Sequence, residues 1–425
     1  MREYVVRIER EGRFERVGTI AEGKSGETVF RYAKDYLDRP DAVPISLSLP
    51  LRDRPFSGEE TRTFFEGLLP EGFTRRAVAG WMRVDERDYL SILYGLGREC
   101  LGAVRISPEE EPEEAWYEKV SPQQMKDLAA EGAVKSAELV VRAHLSLTGA
   151  SGKVGLYHDE AKDEWYLPHG TAPSTHIVKQ SHIRFGEIVT NEQLALLTAK
   201  QCGIDIPESF ILNVGNGSDA EVLFATRRFD RQMPEEPILL DGLPRPLRLH
   251  QEDFAQALGI PAERKYEQGN EGYLKRMFDL LFASAENPLR DRARLWRRVV
   301  FYALIGNADA HIKNISLLYA PDLKSLSLAP AYDIVSTAVY EQSSREMAFA
   351  IGGDRMMDAI TRKSFRRAAE EIGLPEKAAM RTLEEVCGTF EGALAEAARV
   401  LTEQGFEGAE ELREKMLRGG VFRHL

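Results

Sequence analysis

Cysteine is scarce in this 425-residue chain: Cys100, Cys202 and Cys387 stand far apart, with no CxxC pair and no spacing suited to zinc. That excludes a disulfide framework and a structural zinc site held by cysteines, and the thiols read as those of a reducing, cytoplasmic compartment. Long apolar runs are also missing. No stretch reaches the length of a membrane span, and Met1 to Arg7 lacks the apolar centre of a signal peptide, so no membrane contact is expected. Positive charge is in deficit, with 56 Lys and Arg against 68 Asp and Glu and a formal net charge of -12. Overall charge therefore cannot drive binding to nucleic acid; a local basic patch or a partner would have to supply it. Internal repeats and low-complexity tracts are absent, and the length suits two or three domains with a sizeable core.

What the chain does have is a polar loop between two apolar anchors. Leu304 to Tyr319 opens at the end of an apolar helical pattern, runs through Asn307, Asp309, His311, Lys313 and Asn314, and closes on an alternating segment that reads as a strand. Asp309 and Asn314 have the spacing of phosphoryl-transfer loops, in which an aspartate takes the proton of the attacking hydroxyl and an asparagine ligates a metal. Asp333 follows a further short strand and offers a second oxygen. Magnesium takes a few hard oxygen ligands from protein and the rest from phosphates and water, so Asn314 and Asp333 would suffice. The alternative is that Asp309 and Asn314 only cap a turn between helix and strand.

Three units are expected. In residues 1–107, Tyr4, Val6 and Ile8 alternate with charged residues and Glu11-Gly12 offers a turn, which predicts an opening β-hairpin. Ile45 to Leu51 alternates as a strand would. A helix over Gly58 to Leu69 would bury Phe64, Phe65 and Leu68 and break at Pro70 and Gly72. An acidic, proline-containing run, Pro108 to Glu114, reads as a solvated linker. Residues 108–226 suggest a mixed sheet with one helix: a hairpin from Val154 to Leu167, a strand at Thr175 to Lys179, a capping box at Thr190 to Gln193 that opens a helix ending at Gly203, and a buried strand at Val222 to Ala225. Residues 227–425 turn helical, with Gln251 to Gly259, Glu271 to Ser284, Arg294 to Gly306, Asp358 to Gly373 and Pro375 to Leu401 as helices. Glu252 and Asp253 would then sit in a first turn and complement its dipole.

Two features of the second unit carry chemistry. Gly149, Ala150, Ser151, Gly152 and Lys153 form a small-residue turn whose backbone could approach phosphate, with a lysine adding charge. It is not a Walker A loop, which needs glycine where Leu147 stands and Ser or Thr where Val154 stands. Lys179 ends a strand, and Glu192 lies early in the next helix. Protein kinases fix a cation onto nucleotide phosphates with such a pair. The order along the chain is the informative part: glycine-rich turn, strand lysine, helix glutamate, strand exit, D-x-x-x-x-N loop, metal aspartate.

These runs, together with Phe64 to Pro70, Gly97 to Val104, Ser146 to Lys153, Arg228 to Arg231, Gln251 to Asp253, Gly306 to Asn314 and Pro330 to Ser336, resemble the HipA family of bacterial serine/threonine-protein kinase toxins over nearly the whole chain. The resemblance implies an α+β, two-lobed protein-kinase-like fold with a β-rich N-terminal subdomain and a helical C-lobe. It implies ATP and Mg2+ as cofactors, Asp309 as catalytic base, Asn314 and Asp333 as magnesium ligands, Lys179 as the phosphate-binding lysine and Glu192 as its partner. By the same resemblance Arg227, Arg228 and Phe229 form the adenine hinge through backbone groups, and Gln251 and His311 belong to the nucleotide site. Ser146 matches the serine whose autophosphorylation silences the kinase; Ser151 is a second loop hydroxyl. Two positions depart from the family pattern: Ser151-Gly152 where glutamine and an acidic residue are common, and Arg227 where glutamate is common. The implied target is glutamyl-tRNA synthetase, with growth arrest and persistence as the outcome. The implied partner is a HipB-like DNA-binding antitoxin that brings operator DNA to an acidic chain.

Two other functions fit parts of the pattern. A catalytically silent nucleotide-binding corepressor would not need Asp309, Asn314, Asp333 and Lys179 together. A small-molecule kinase would not need the N-terminal unit.

Overall fold

A computed structural model describes residues 2–23, 27–109, 114–147, 152–181 and 185–425. Alternation folds the N-terminus as expected: β1 (Glu3–Arg10) and β2 (Arg13–Glu22) pair antiparallel across Glu11 and Gly12, both at positive φ (48° and 83°), the combination a tight hairpin turn requires. With β3 (Thr28–Tyr32) and β4 (Val104–Ser107) they make a four-stranded sheet in the order β3-β2-β1-β4. The helix Gly58–Glu66 is started by Ser57 and Glu60, whose side chains cap each other's backbone amides, and it buries Phe64 and Phe65, the latter 5.3 Å from the Phe30 ring.

Ile45 to Leu51 is not a strand. Its buried side chains, Ile45 and Leu49, do alternate, but its backbone is satisfied by side chains instead of a ladder. The Ile45 amide donates to the Tyr32 hydroxyl, Tyr32 donates to the Leu49 carbonyl, His250 meets the Ile45 carbonyl and the Leu47 amide donates to Glu252.

The second sheet has six strands, β5 (Ala115–Lys119), β6 (Lys153–Asp159), β7 (Glu164–Gly170), β8 (His176–Gln180), β9 (Ser209–Asn213) and β10 (Val222–Arg227), in the order β5-β7-β6-β8-β10-β9. Every pairing in it is antiparallel, so it is not the mixed sheet expected. Two helices the sequence reading passed over, Pro122–Glu131 and Ala133–Ala143, precede it. The helix carrying Glu192 runs Ile188–Gln201 and begins two residues before Thr190; its N-cap is Glu187 at φ 59°, and the Thr190 hydroxyl donates to the Glu187 carboxylate. The expected capping box is therefore absent, because Thr190 already lies within the first turn.

Beyond Arg227 the chain is mainly helical: Tyr273–Ser284, Pro288–Ile305, Arg362–Glu371, Glu376–Glu403 and Gly408–Gly419. Gln251–Asp253 departs from the reading. It is a short strand paired with Ser316–Leu318, and the helix starts only at Phe254, capped by Asp253. Glu252 is consequently buried in the sheet, not exposed in a first turn. The main apolar core of the described residues runs from Val6 and Phe64 through Val178 and Phe224 to Trp296 and Leu383, and a small second cluster holds Tyr117, Tyr157, Ala172 and Leu243. Among the described residues no helix is long and apolar enough to cross a membrane.

Candidate active site

The cleft, of ≈ 790 Å³ to its open mouth, lies where the six-stranded sheet, the helix Ile188–Gln201 and the loop after Pro288–Ile305 meet. On β8, Ile177 and Lys179 both line it, and the strand's two-residue period sends His176 and Val178 to the other face. The Lys179 ammonium donates to Glu192 Oε1 at 2.7 Å and to Asp333 Oδ1 at 2.7 Å. One cation thus joins strand, helix and the segment after the Asp309–Asn314 loop. Its cross-strand neighbour on β6 is Lys153, which also lines the cleft.

Electrostatics divides these groups. Burial alone would lower the Lys179 pKa, but the Asp333 and Glu192 charges outweigh it and keep the ammonium well above its ordinary range. Burial would likewise raise Asp333; Lys179 and Lys153 outweigh it, so that carboxylate is held well below its ordinary range. For Glu192 burial wins over the Lys179 charge and lifts it to about 7. Lys153 is pulled down by burial, only partly offset by Asp333.

The loop is shaped by its own backbone. Pro288–Ile305 ends at Gly306, φ 72°, where a Cβ would lie 2.5 Å from the Ala338 Cβ, so only glycine fits. Asn307 Oδ1 then accepts from the Asp309 amide at 3.0 Å, and the Asp309 carbonyl accepts from the His311 amide at 2.8 Å and from Asn314 Nδ2 at 2.9 Å. Lys313 turns inward to Asp253 (2.9 Å) and the Gly67 carbonyl (3.1 Å), pinning the loop to the N-terminal unit.

The Asp309 carboxylate, 43% exposed, receives the Tyr266 hydroxyl and lies 3.8 Å from His311 Nε2. Partial burial pushes its pKa up, opposed by the Tyr266 hydrogen bond. His311 packs edge-on to Tyr266 at 5.1 Å, and burial keeps it neutral.

The donor set fits a magnesium ion. With Nδ2 committed to the Asp309 carbonyl, Asn314 has Oδ1 to offer, and Lys179 engages Asp333 through Oδ1 and leaves Oδ2. Both are hard oxygens on the cleft wall.

Other predicted residues are placed less directly. Arg228 and Phe229 border the cleft, but the Arg228 guanidinium is fully buried in contacts with Asp230, Glu99 and Ser174, and Arg227 pairs outward with Glu160 and Glu208. The Arg227 and Arg228 amides are taken by the Glu208 and Thr175 carbonyls, so neither serves as a hinge donor. Phe229 stands 5.4 Å from Tyr332, and Gln251 donates its side-chain amide to Asp230 at 2.9 Å. Ser146 is fully buried, its hydroxyl donating to the Leu68 carbonyl at 2.7 Å, and is not offered to the cleft. Gly152 is buried at the entry to β6; Gly149, Ala150 and Ser151 lie outside the described residues. Tyr266 and Glu71, which lines the cleft from the N-terminal unit, belong to no motif and were legible in no spacing.

A family model described as HipA-like C-terminal domain matches residues 145–394, and one described as HipA N-terminal domain matches residues 13–107. The chain is 32% identical over 375 residues to "Putative kinase Y4mE" of Sinorhizobium fredii, with 84% of each chain covered. It is 26% identical over 406 residues to the serine/threonine-protein kinase toxin HipA of Shewanella oneidensis, covering 91% of this chain and 88% of that one. A solved Shewanella oneidensis structure of HipA with HipB and operator DNA superposes with a TM-score of 0.80 over 99% of this chain and 97% of that one, at 22% identity, which establishes the two-lobed kinase-like fold. The matched segments span both ends of the cleft and the N-terminal sheet, and the chain belongs to the HipA family of kinase toxins.

Proposed function

We propose that the chain is an ATP- and magnesium-dependent serine/threonine-protein kinase acting as the toxin of a bacterial toxin–antitoxin pair. The observation that carries this reading is the Lys179 ammonium held at 2.7 Å by both Glu192 and Asp333, in the cleft that Asn314 and His311 also line, with the Asp309 carboxylate 3.8 Å from His311 Nε2. In this account Lys179 and Lys153 take the nucleotide phosphates, the Phe229 segment borders the base, and Asn314 Oδ1 and Asp333 Oδ2 hold the metal. Magnesium, when bound, offsets the charge of the phosphates and of the transferred group. Asp309 accepts the proton of the acceptor hydroxyl, whose oxygen bonds to the γ-phosphorus of ATP as ADP departs. The Tyr266 hydroxyl now makes the bond to Asp309 that an acceptor serine would make, so the acceptor displaces it.

Glutamyl-tRNA synthetase is the proposed target, with arrested growth and persistence as the result. A HipB-like antitoxin is the proposed partner, supported by the Shewanella HipA complex with HipB and operator DNA. That antitoxin would bring the positive charge this acidic chain lacks. Autophosphorylation at Ser146 would silence the kinase, since a phosphate of charge near −2 suits neither the Leu68 contact nor the phosphate site. It requires the segment around Ser146 to leave its buried place first.

The test is phosphoproteomics of bacterial extract treated with the protein, ATP and magnesium, beside Asp309→Asn. Phosphate on glutamyl-tRNA synthetase with the wild type alone supports the target. Phosphate on other proteins keeps the kinase and discards the target. Nucleotide binding with no phosphate on any protein favours a silent corepressor.

A further inference from the structure

The face of the six-stranded sheet away from the cleft carries a second cluster of ligating side chains. The register of β6 and β8 sets Leu156 opposite His176, so His158, two residues on, shares that face as a diagonal neighbour. Glu160 follows in the turn after β6. One nitrogen of each imidazole and one Glu160 carboxylate oxygen all lie within 4.8 Å of one another. We propose that His158, Glu160 and His176 bind one divalent transition-metal ion of the zinc class, at a site separate from the cleft.

Each ligand is oriented as such a site needs. His176 Nδ1 meets the Thr175 hydroxyl at 2.9 Å, and that same oxygen accepts the His158 amide at 2.9 Å. With Nδ1–H donating to Thr175, His176 Nε2 keeps its lone pair. His158 Nε2 meets Asp163 at 3.0 Å, whereas its Nδ1 is buried and has no hydrogen-bond partner among the described residues. Donation of Nε2–H to the carboxylate raises the basicity of Nδ1, as in histidine ligands backed by a carboxylate, and a cation would satisfy the orphaned nitrogen. The rings are fixed by packing: His158 stacks on Trp165 at 4.2 Å and 11°, and His176 meets Trp165 edge-on at 5.4 Å. Glu160 pairs with Arg227 through Oε1 and keeps Oε2 for an ion.

The donor types choose the ion. Two imidazoles and a carboxylate without a thiolate suit Zn2+, Co2+ or Ni2+ better than magnesium or calcium, which prefer all-oxygen shells. Ligands at about 2.0–2.2 Å from zinc stand no more than about 4.4 Å apart, so a small closing of the Glu160 turn completes the shell. The bound ion would tie β6, the turn and β8 together and compete with Arg227 for Glu160.

The experiment strips the full chain with chelator and titrates it with Co2+ and Zn2+, reading Co2+ ligand-field absorbance and retained zinc per chain. One equivalent should survive dialysis and should persist in Asp333→Asn, whose change lies in the cleft. Glu160→Gln, at the exposed end of the cluster, and His158→Asn should each weaken binding by roughly 10-fold or more. His176→Asn should do the same if it folds. Ni2+ should quench fluorescence in the wild type and much less in Trp165→Phe. Failure to retain one equivalent, or equal retention by the wild type, His158→Asn and Glu160→Gln, would overturn the site.

Discussion

Tyr266 shows how one hydroxyl can set the state of the carboxylate proposed as the base. Its O–H donates to Asp309, and its ring stands edge-on to His311 at 5.1 Å. Removing the hydroxyl removes a competitor for the acceptor and leaves the ring in place. Tyr266→Phe is expected to lower the KM for the protein acceptor by a few-fold, while ATP affinity stays unchanged; steady-state kinetics with both substrates varied would check it. An unchanged acceptor KM would remove Tyr266 from the acceptor's place. At this scale the sequence was legible wherever chemistry fixes a spacing. The five-residue step from Asp309 to Asn314, and the lysine at a strand end, lead to Asn314 and Lys179, which line one cleft, and to Asp309, which meets the cleft residue His311 at 3.8 Å. Tyr266 sits in an irregular segment, and nothing local distinguishes its hydroxyl from a solvated one. The Arg228 guanidinium was equally hidden, since its burial depends on Glu99, far away in sequence.

At the scale of elements, the loop carrying Asp309 and Asn314 is held from below by Lys313. The ammonium lies between Asp253 at 2.9 Å, the Gly67 carbonyl at 3.1 Å and Glu71 at 3.6 Å. Lys313→Met would leave the Asp253 carboxylate buried with its cation gone. We expect a loss of about 3–5 kcal/mol in urea unfolding; a loss below about 1 kcal/mol would show that the loop is anchored elsewhere. His250 makes the neighbouring tie, from just before the strand Gln251–Asp253 to the Ile45 carbonyl at 2.8 Å. Burial lowers its pKa from 6.5 to about 4. A depressed histidine favours the folded state above its unfolded pKa, so this contribution is complete above pH 6.5 and is lost as pH falls toward 4. Stability of the wild type relative to His250→Gln should therefore decline across that window, measured as urea midpoints at several pH values. A difference that does not change with pH would contradict it. Elements were legible where caps and period agree, as in Gly58–Glu66. Ile45 to Leu51 misled because alternation signals only which side chains are buried; the hydroxyl, imidazole and carboxylate that replace a partner strand come from positions up to Glu252.

Over the whole molecule, the N-terminal unit is stitched to the rest by a buried ion network. Glu99 meets Arg231 at 2.7 Å, Arg248 at 2.5 Å and Arg228 at 3.3 Å; Glu9 meets Arg245 at 2.8 Å and Arg248 at 3.0 Å; Asp230 meets Arg228 at 2.7 Å. Burial would raise the Glu99 pKa, but these guanidinium charges outweigh it and hold it at about 2. Composition gives no hint of this, because an excess of acid says nothing about which carboxylates are inside. Glu99→Gln leaves three buried guanidinium groups short of one charge. It should destabilise the protein by about 3–5 kcal/mol, and deleting residues 1–107 should leave a remainder that does not fold. A stable, soluble remainder with its helices intact would mean that the network is dispensable. Family membership was legible because many short motifs recur in one order, whereas the joining of the units depends on contacts between distant residues.

The central claim is that Lys179, Glu192, Asp309, Asn314 and Asp333 form a working phosphoryl-transfer site. Intact-mass spectrometry of the purified chain after incubation with ATP and magnesium, beside Asp309→Asn and with nucleotide binding measured on both, tests it most directly. The account predicts phosphate on the wild type, located by peptide mapping at Ser146. It predicts at least about 100-fold slower transfer in Asp309→Asn, with nucleotide affinity retained. Equal phosphorylation of both proteins, or nucleotide binding without any transfer by the wild type to itself or to extract proteins, would contradict it.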